Sequence, residues 1–178
     1  MPLPVPDLGE LEPGDEVSVE EIPHEPTNHQ NSLSRQLALQ ALYEIDITGH
    51  PASTVVQQLM SAYQEMPEMS IVRHMEMLVA GVVNNSAAID EAVQPFAPEF
   101  PVKHLAVVDR NILRIAIFEY ALAQLVPMGV AIDEAVSLAK SFGADASPRF
   151  VNGVLGNLME DTDVIARLKA AYVAPQAE

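Results

Sequence analysis

An all-α fold is predicted by three observations. Apolar residues recur at three- and four-residue spacing through most of the chain after residue 30, and no segment alternates apolar with polar residues as a half-buried strand does. Glycine, proline and capping residues interrupt the periodic stretches at helix-length intervals. With 178 residues and 49% hydrophobic content, the chain can build one core and still carry a tail.

The tail comes first. Residues 1 to 30 hold eight acids (Asp7, Glu10, Glu12, Asp15, Glu16, Glu20, Glu21 and Glu25), no Lys or Arg, and six of the fourteen prolines. Proline breaks helices, like charges repel, and little apolar surface is available to bury, so this segment is expected to be disordered. The whole chain has 25 acids against nine Lys and Arg, a net charge of −16; without the tail, seventeen acids and nine bases leave −8. Half the excess is therefore in the tail, which can solubilise the domain or compete with a polyanion for a basic patch.

Residues 31 to 174 are expected to form the helical domain, with residues 175 to 178 a short tail. After Ser32, a plausible N-cap, LSRQLALQALYEID places Leu33, Leu37, Ala41 and Ile45 on one stripe, and Gly49 with Pro51 ends the helix. Ser53 can cap a second helix with Val55, Val56, Leu59, Met60 and Tyr63 on one face, stopping near Pro67. A long third helix is predicted from Ser70 to Gln94 through Ile71, Met75, Leu78, Val82, Ile89 and Val93.

PFAPEFP, with three prolines in seven residues, reads as a connector between an N-terminal subdomain (31 to 94) and a C-terminal one (101 to 174). Asp109 to Leu125 is apolar on nearly every side, as a central helix surrounded by neighbours should be. Pro127 closes it. AIDEAVSLAKSF then presents Ile132, Ala135, Val136 and Ala139, with Gly143 as its stop. Ser147 followed by Pro148 opens the next helix, and DVIARLKAAY makes a last short one.

Gly153 and Gly156 sit inside that penultimate helix, where each costs about 1 kcal/mol relative to alanine. A GxxG loop of the kind that clamps nucleic-acid backbone needs neighbouring strands and flanking basic residues, and both are lacking here. Close approach of another helix is the expected reason for the glycines.

Several function classes are excluded. There is no Cys, hence no disulfide and no thiolate metal site. The five histidines never pair at i, i+4, and HExxH, P-loop, GxSxG and GxGxxG patterns are all absent. Neither a metal nor a cofactor is expected. Asp90-Glu91, Asp133-Glu134 and Asp161 with Asp163 read as solvated faces or first-turn acids rather than catalytic pairs, because adjacent helical residues diverge by about 100°. No enzyme is expected. The N-terminus lacks the basic and long apolar regions of a secretory signal, and the most apolar segment is interrupted by Asp109, Arg110, Arg114 and Glu119, which argues against a bilayer span. A cytoplasmic location is the simplest expectation.

The order of segments SRQLALQALYEID, VAGVVNNSAAIDEAVQPF, VDRNILRIAIFEY and VPMGVAIDEAVSLAKSFGADASPRFVNGVL resembles the transcription antitermination factor NusB family over residues 32 to about 160. The last block is the most specific. The resemblance implies two helical subdomains of about three helices each, and a non-catalytic function. The family binds boxA-type single-stranded RNA jointly with NusE, a small-subunit ribosomal protein, within the RNA polymerase antitermination complex, promoting read-through chiefly in ribosomal RNA synthesis.

Site residues follow from the same resemblance. The family's N-terminal arginine run, which neutralises phosphates, reads NSLSR here and keeps Arg35 alone. Arg149 and Phe150 in SPRFVNGVL stand where the family has a basic residue and a ring able to stack on a base, and Lys140 can add charge nearby. Tyr43 and Asp109 match positions implied to contact NusE. The reading from a different class is an RNA-independent protein-interaction module, or one that self-associates as a homodimer.

Overall fold

The computed structural model describes residues 27–174. Among these, seven α-helices and no strand are found: α1 (Thr27–Thr48), α2 (Ala52–Ser61), α3 (Met69–Val93), α4 (Val107–Ile117), α5 (Met128–Phe142), α6 (Ser147–Glu160) and α7 (Thr162–Ala171). The fold is all-α, as predicted. The expected acidic tail lies outside the described residues up to residue 26; its last four residues instead form the opening turn of α1. Ser32 is therefore not a cap but an interior residue of the helix.

Burial along α1 follows the predicted stripe. Leu37 and Ala41 are buried, Leu33 and Ile45 pack against the core from its margin, and Ala38, Leu39 and Leu42 widen the buried face. The helix stops at Gly49, whose φ of +71° is the left-handed geometry that a side chain would strain; its N–H donates to the Ile45 carbonyl at 2.9 Å. Pro51, not Ser53, occupies the N-cap position of α2. That helix ends at Ser61, short of Pro67, and leaves Tyr63 exposed.

All six core positions expected on α3 are buried. Its neighbour comes unusually close at Gly81, where a Cβ would lie 2.0 Å from the Phe118 ring. The connector folds as two 3-10 turns, Gln94–Phe96 and Val102–His104, held by the Gln94 side chain: Nε2 donates to the Ala97 and Phe100 carbonyls, and Oε1 accepts from the Val102 N–H.

The central helix differs from the expected continuous Asp109–Leu125. It is α-helical only to Ile117, then widens into a π-helical turn over Phe118–Leu122 closed by the Ala123 N–H on the Phe118 carbonyl at 2.8 Å. Such an insertion rotates the residues beyond it and aims Glu119 inward. Asn111 to Ile117 are buried without interruption, which confirms the helix as the centre of the core.

Helices α1, α2 and α3 pack on one another, α4, α5 and α6 do the same, and α4 also bears on α1 and α3. The two groups share one continuous hydrophobic core. At the far end α7 lies on α3 and α6, starting at a genuine cap in which Asp161 accepts from the Asp163 and Val164 N–H groups. The chain after α7 is pinned by Asn85, which exchanges two hydrogen bonds with the Val173 backbone.

The α5–α6 corner explains Gly143. Its φ of −89° is accessible to any residue, but a Cβ there would meet the Ser147 Cβ at 2.5 Å and the Ala139 carbonyl oxygen at 2.8 Å. Ser147 faces backward, accepting from the Ala144 N–H at 3.0 Å, so it closes the turn rather than capping α6; Ala146 takes the cap position. The expected close helix contact at Gly153 and Gly156 is not found, since a Cβ on either would meet no atom within 4 Å.

Candidate nucleic-acid and partner interface

The chain has few cations, and three of them, Arg35, Arg110 and Arg114, are engaged in ion pairs. Arg35, expected at the phosphate-binding edge of α1, is 2% exposed. Its Nε donates to Glu119 Oε2 at 2.7 Å and its Nη2 to Oε1 at 3.0 Å, while Nη1 lies 3.2 Å from Glu134 Oε2 without hydrogen-bond alignment. A guanidinium held bidentately in the interior cannot reach a phosphate without stranding a buried carboxylate. Arg35 is thus a structural anchor between α1, the π-helical turn and α5, and its expected RNA contact is corrected.

Glu134 is corrected with it. Both its oxygens accept from Ser32 Oγ, at 3.1 and 2.9 Å, so it faces α1 and not solvent. Glu119 also receives His74 Nε2 at 3.2 Å. Burial alone would raise the Glu119 pKa; the bonds from His74 and Arg35 outweigh it and hold the carboxyl below its usual value.

A second network consumes Arg110 and Arg114. Arg114 grips Asp90 bidentately (2.8 and 2.6 Å) and reaches Asp46 Oδ2 at 3.0 Å, where Arg110 and Asn111 also converge. Desolvation lowers the Arg114 pKa, but the hydrogen bond and charge of Asp90, with Asp46 behind it, raise it overall. Asp90, expected on a solvated face, instead helps weld α1, α3 and α4 together.

The cations left on the surface include Arg149 and Lys140. Arg149 and Phe150 line one groove, about 490 Å³ in volume, between α6 and the connector. Phe100 lines it as well, 60% exposed, together with Phe96, Gly153 and Asn157. Phe150 is half-buried: one part packs on the core and the rest borders the groove. Lys140 is exposed on the last turn of α5 and lines neither this groove nor the next.

Tyr43 belongs to a different groove, about 420 Å³, whose walls include Leu33, Tyr63, Val108 and Phe142. Tyr43 and Phe142 are 45% and 50% exposed, an apolar surface rimmed by phenol hydroxyls. Asp109 follows Val108 in the first turn of α4 and does not itself line the groove. It is not the N-cap, which is Ala106; its Oδ1 is enclosed and has no hydrogen-bond partner among the described residues. The six expected residues therefore divide: Arg149 with Phe150 in one groove, Tyr43 in another, Asp109 and Lys140 in neither, and Arg35 inside.

Sequence reasoning missed Phe100 and the ion-pair networks. The aromatic residues between the prolines of PFAPEFP were a usable signal for the first. For the second there was none, since Arg35 and Glu119 are 84 residues apart. Among the described residues no cluster of three His, Cys, Asp or Glu side chains could hold a metal ion, and no helix is long and apolar enough to cross a membrane.

Two separate surface grooves on a solid helical core, one with exposed rings beside a cation and one apolar with a polar rim, define a helical binding protein. Comparison with known proteins makes the class specific. The chain matches the NusB family over residues 32–160. It is 44% identical over 125 residues to the transcription antitermination protein NusB of Dehalococcoides mccartyi, covering 70% of this chain and 86% of that one. It is 39% identical over 128 residues to the protein of the same name from Bacillus cereus, covering 71% and 95%.

In structure it is similar to T. maritima NusB, with a TM-score of 0.67 at 25% identity over 74% of this chain and 91% of that one. A crystal structure of antitermination factors NusB and NusE in complex with dsRNA shares the fold, with a TM-score of 0.67 at 21% identity over 74% and 96%. The chain belongs to the NusB family of transcription antitermination proteins.

Proposed function

We propose that the chain is a non-catalytic, cytoplasmic antitermination factor that binds boxA-type single-stranded RNA jointly with a NusE-type ribosomal protein, so that RNA polymerase reads through terminators, chiefly during ribosomal RNA synthesis. Family membership supports the process, and the names of the relatives say the same of them. The observation that carries the RNA contact is the α6–connector groove, where Arg149 stands beside Phe150 and Phe100. A cation can neutralise a phosphate, and an aromatic face stacks on any base for about 1–3 kcal/mol. The Tyr43 groove, apolar in its walls and rimmed by Tyr43 and Tyr63, suits a partner that supplies an apolar side chain. A basic ribosomal protein can supply one, and its charge complements the net negative charge of this chain.

The burial of Arg35 favours one other reading, an RNA-independent interaction module or a homodimer joined through the Tyr43 groove. RNA binding measured at two salt concentrations, with and without the NusE partner, separates the two. Salt-sensitive affinity that tightens with the partner and falls about ten-fold in Phe150→Ala is expected. Affinity no better than for a scrambled RNA under every condition would leave only the protein-interaction reading.

A further inference from the structure

Gly153 occupies a helix that has no packing use for it. A Cβ on it meets no atom within 4 Å, and alanine would make the better helix. Gly156 is equally unopposed. The two differ in one respect: Gly153 lines the groove with Phe100, Arg149, Phe150 and Asn157, and Gly156 does not.

The geometry points to Gly153 as the floor of a nucleobase seat, in which the missing Cβ lets one unpaired base of single-stranded RNA lie against the α6 backbone beside the rings of Phe150 and Phe100. The inference rests on the RNA-binding reading above and names the residue that shapes its site. Positions 150, 153 and 157 are three and four apart, so Phe150, Gly153 and Asn157 share one helix face. Phe150 supplies a π-surface, the Asn157 amide a donor and an acceptor for a base edge, and Arg149 a charge for the adjoining phosphate. Phe100 approaches from the connector with 60% of its surface exposed, which a stacked base would cover.

A base is favoured over a protein side chain as occupant because the groove joins rings to Arg149, which makes no ion pair among the described residues. A phosphodiester places one negative charge beside each base, and Arg149 provides its counterpart. Glu99, the one carboxylate lining the groove, lies on the connector rather than on α6, where Arg149 stands. Protein partners have their own apolar surface at Tyr43, Tyr63 and Phe142.

The test compares Gly153→Ala with Gly156→Ala in the full chain, using a boxA-type RNA oligonucleotide and the NusE-type partner. Both variants should gain helix stability, seen as a rise in Tm of about 2–4 °C. Gly153→Ala should nevertheless bind the RNA about ten-fold more weakly, within the range of one lost stacking contact, while Gly156→Ala binds as the parent does. Neither should change affinity for the partner alone. The seat is overturned if the parent binds RNA and Gly153→Ala matches it, or if both variants lose affinity equally. Loss of partner binding in Gly153→Ala with RNA binding intact overturns it too, making the groove a protein-docking site. A parent that does not distinguish boxA-type from scrambled RNA brings down the RNA reading and the seat together.

Discussion

Glu119 shows how one residue can be assigned a place by physics and not by sequence pattern. Its carboxyl is 1% exposed, receives Arg35 bidentately and His74 at 3.2 Å, and is held below its usual pKa despite burial. In the unfolded chain it takes up a proton near its ordinary value, whereas the folded protein resists doing so. The unfolded state therefore binds more protons in the window from about pH 4.5 down to the folded pKa, and stability falls as pH falls through it. Denaturant midpoints measured from pH 7 to pH 3 should drop below about pH 4.5, and Glu119→Gln should flatten that part of the curve. At pH 7 the same substitution should cost about 3 kcal/mol, because Arg35 loses its bidentate partner inside the core. An unchanged curve in the variant would remove Glu119 from the account. Single residues were legible where the backbone alone decides, as at Gly49. Arg35 was not legible: nothing in NSLSR distinguishes a guanidinium facing RNA from one facing a carboxylate 84 positions later.

At the level of helices, periodicity located nearly everything and terminal chemistry less. Each apolar position predicted for α3 is buried, because a stripe repeated over 25 residues admits one buried face. Caps were less legible, as Ser32, Ser53 and Ser147 all fit a cap by type while only the neighbouring turns decide whether they act as one. The π-helical turn left no trace in sequence, since a residue added to a helix that is apolar all round does not disturb its pattern. That turn sets Phe118 against α3 at Gly81, and the contact carries its own prediction. A Cβ at position 81 would stand 2.0 to 2.6 Å from three ring atoms of Phe118, which is itself 0% exposed and meets the Tyr172 ring in a tilted pair with centroids 6.3 Å apart. The ring has nowhere to retreat. Gly81→Ala should therefore destabilise by about 1–3 kcal/mol through overpacking, against the gain alanine brings to helix propensity. Chemical denaturation of this variant beside Gly153→Ala gives opposite signs for the same substitution; a stabilised Gly81→Ala would mean that α3 and the π-helical turn slide apart easily.

Over the whole molecule the governing quantity is the distribution of charge. All nine Lys and Arg belong to residues 35 to 169, whereas eight of the 25 acids belong to residues 1 to 26. Three of the nine cations, Arg35, Arg110 and Arg114, are occupied in ion pairs. The proposed RNA surface thus works with few free positive charges against a strongly negative total, and long-range repulsion becomes a term comparable to its individual contacts. Deleting residues 1 to 26 removes eight negative charges and changes the net charge from −16 to −8, leaving both grooves intact. Because the deleted charges act across solvent, their effect should follow screening: the Debye length falls from about 30 Å at 0.01 M salt to about 8 Å at 0.15 M. Affinity of the deletion variant for boxA-type RNA should exceed that of the full chain several-fold at low salt, and the two should converge as salt rises. The slope of log affinity against log salt should steepen on deletion, since contacts that release counterions are then no longer offset by repulsion that salt relieves. Equal affinities at every salt concentration would show that the tail's charge does not reach the groove. An advantage that persists at high salt would point instead to direct occupation of the groove by residues 1 to 26, a contact that screening alone cannot remove.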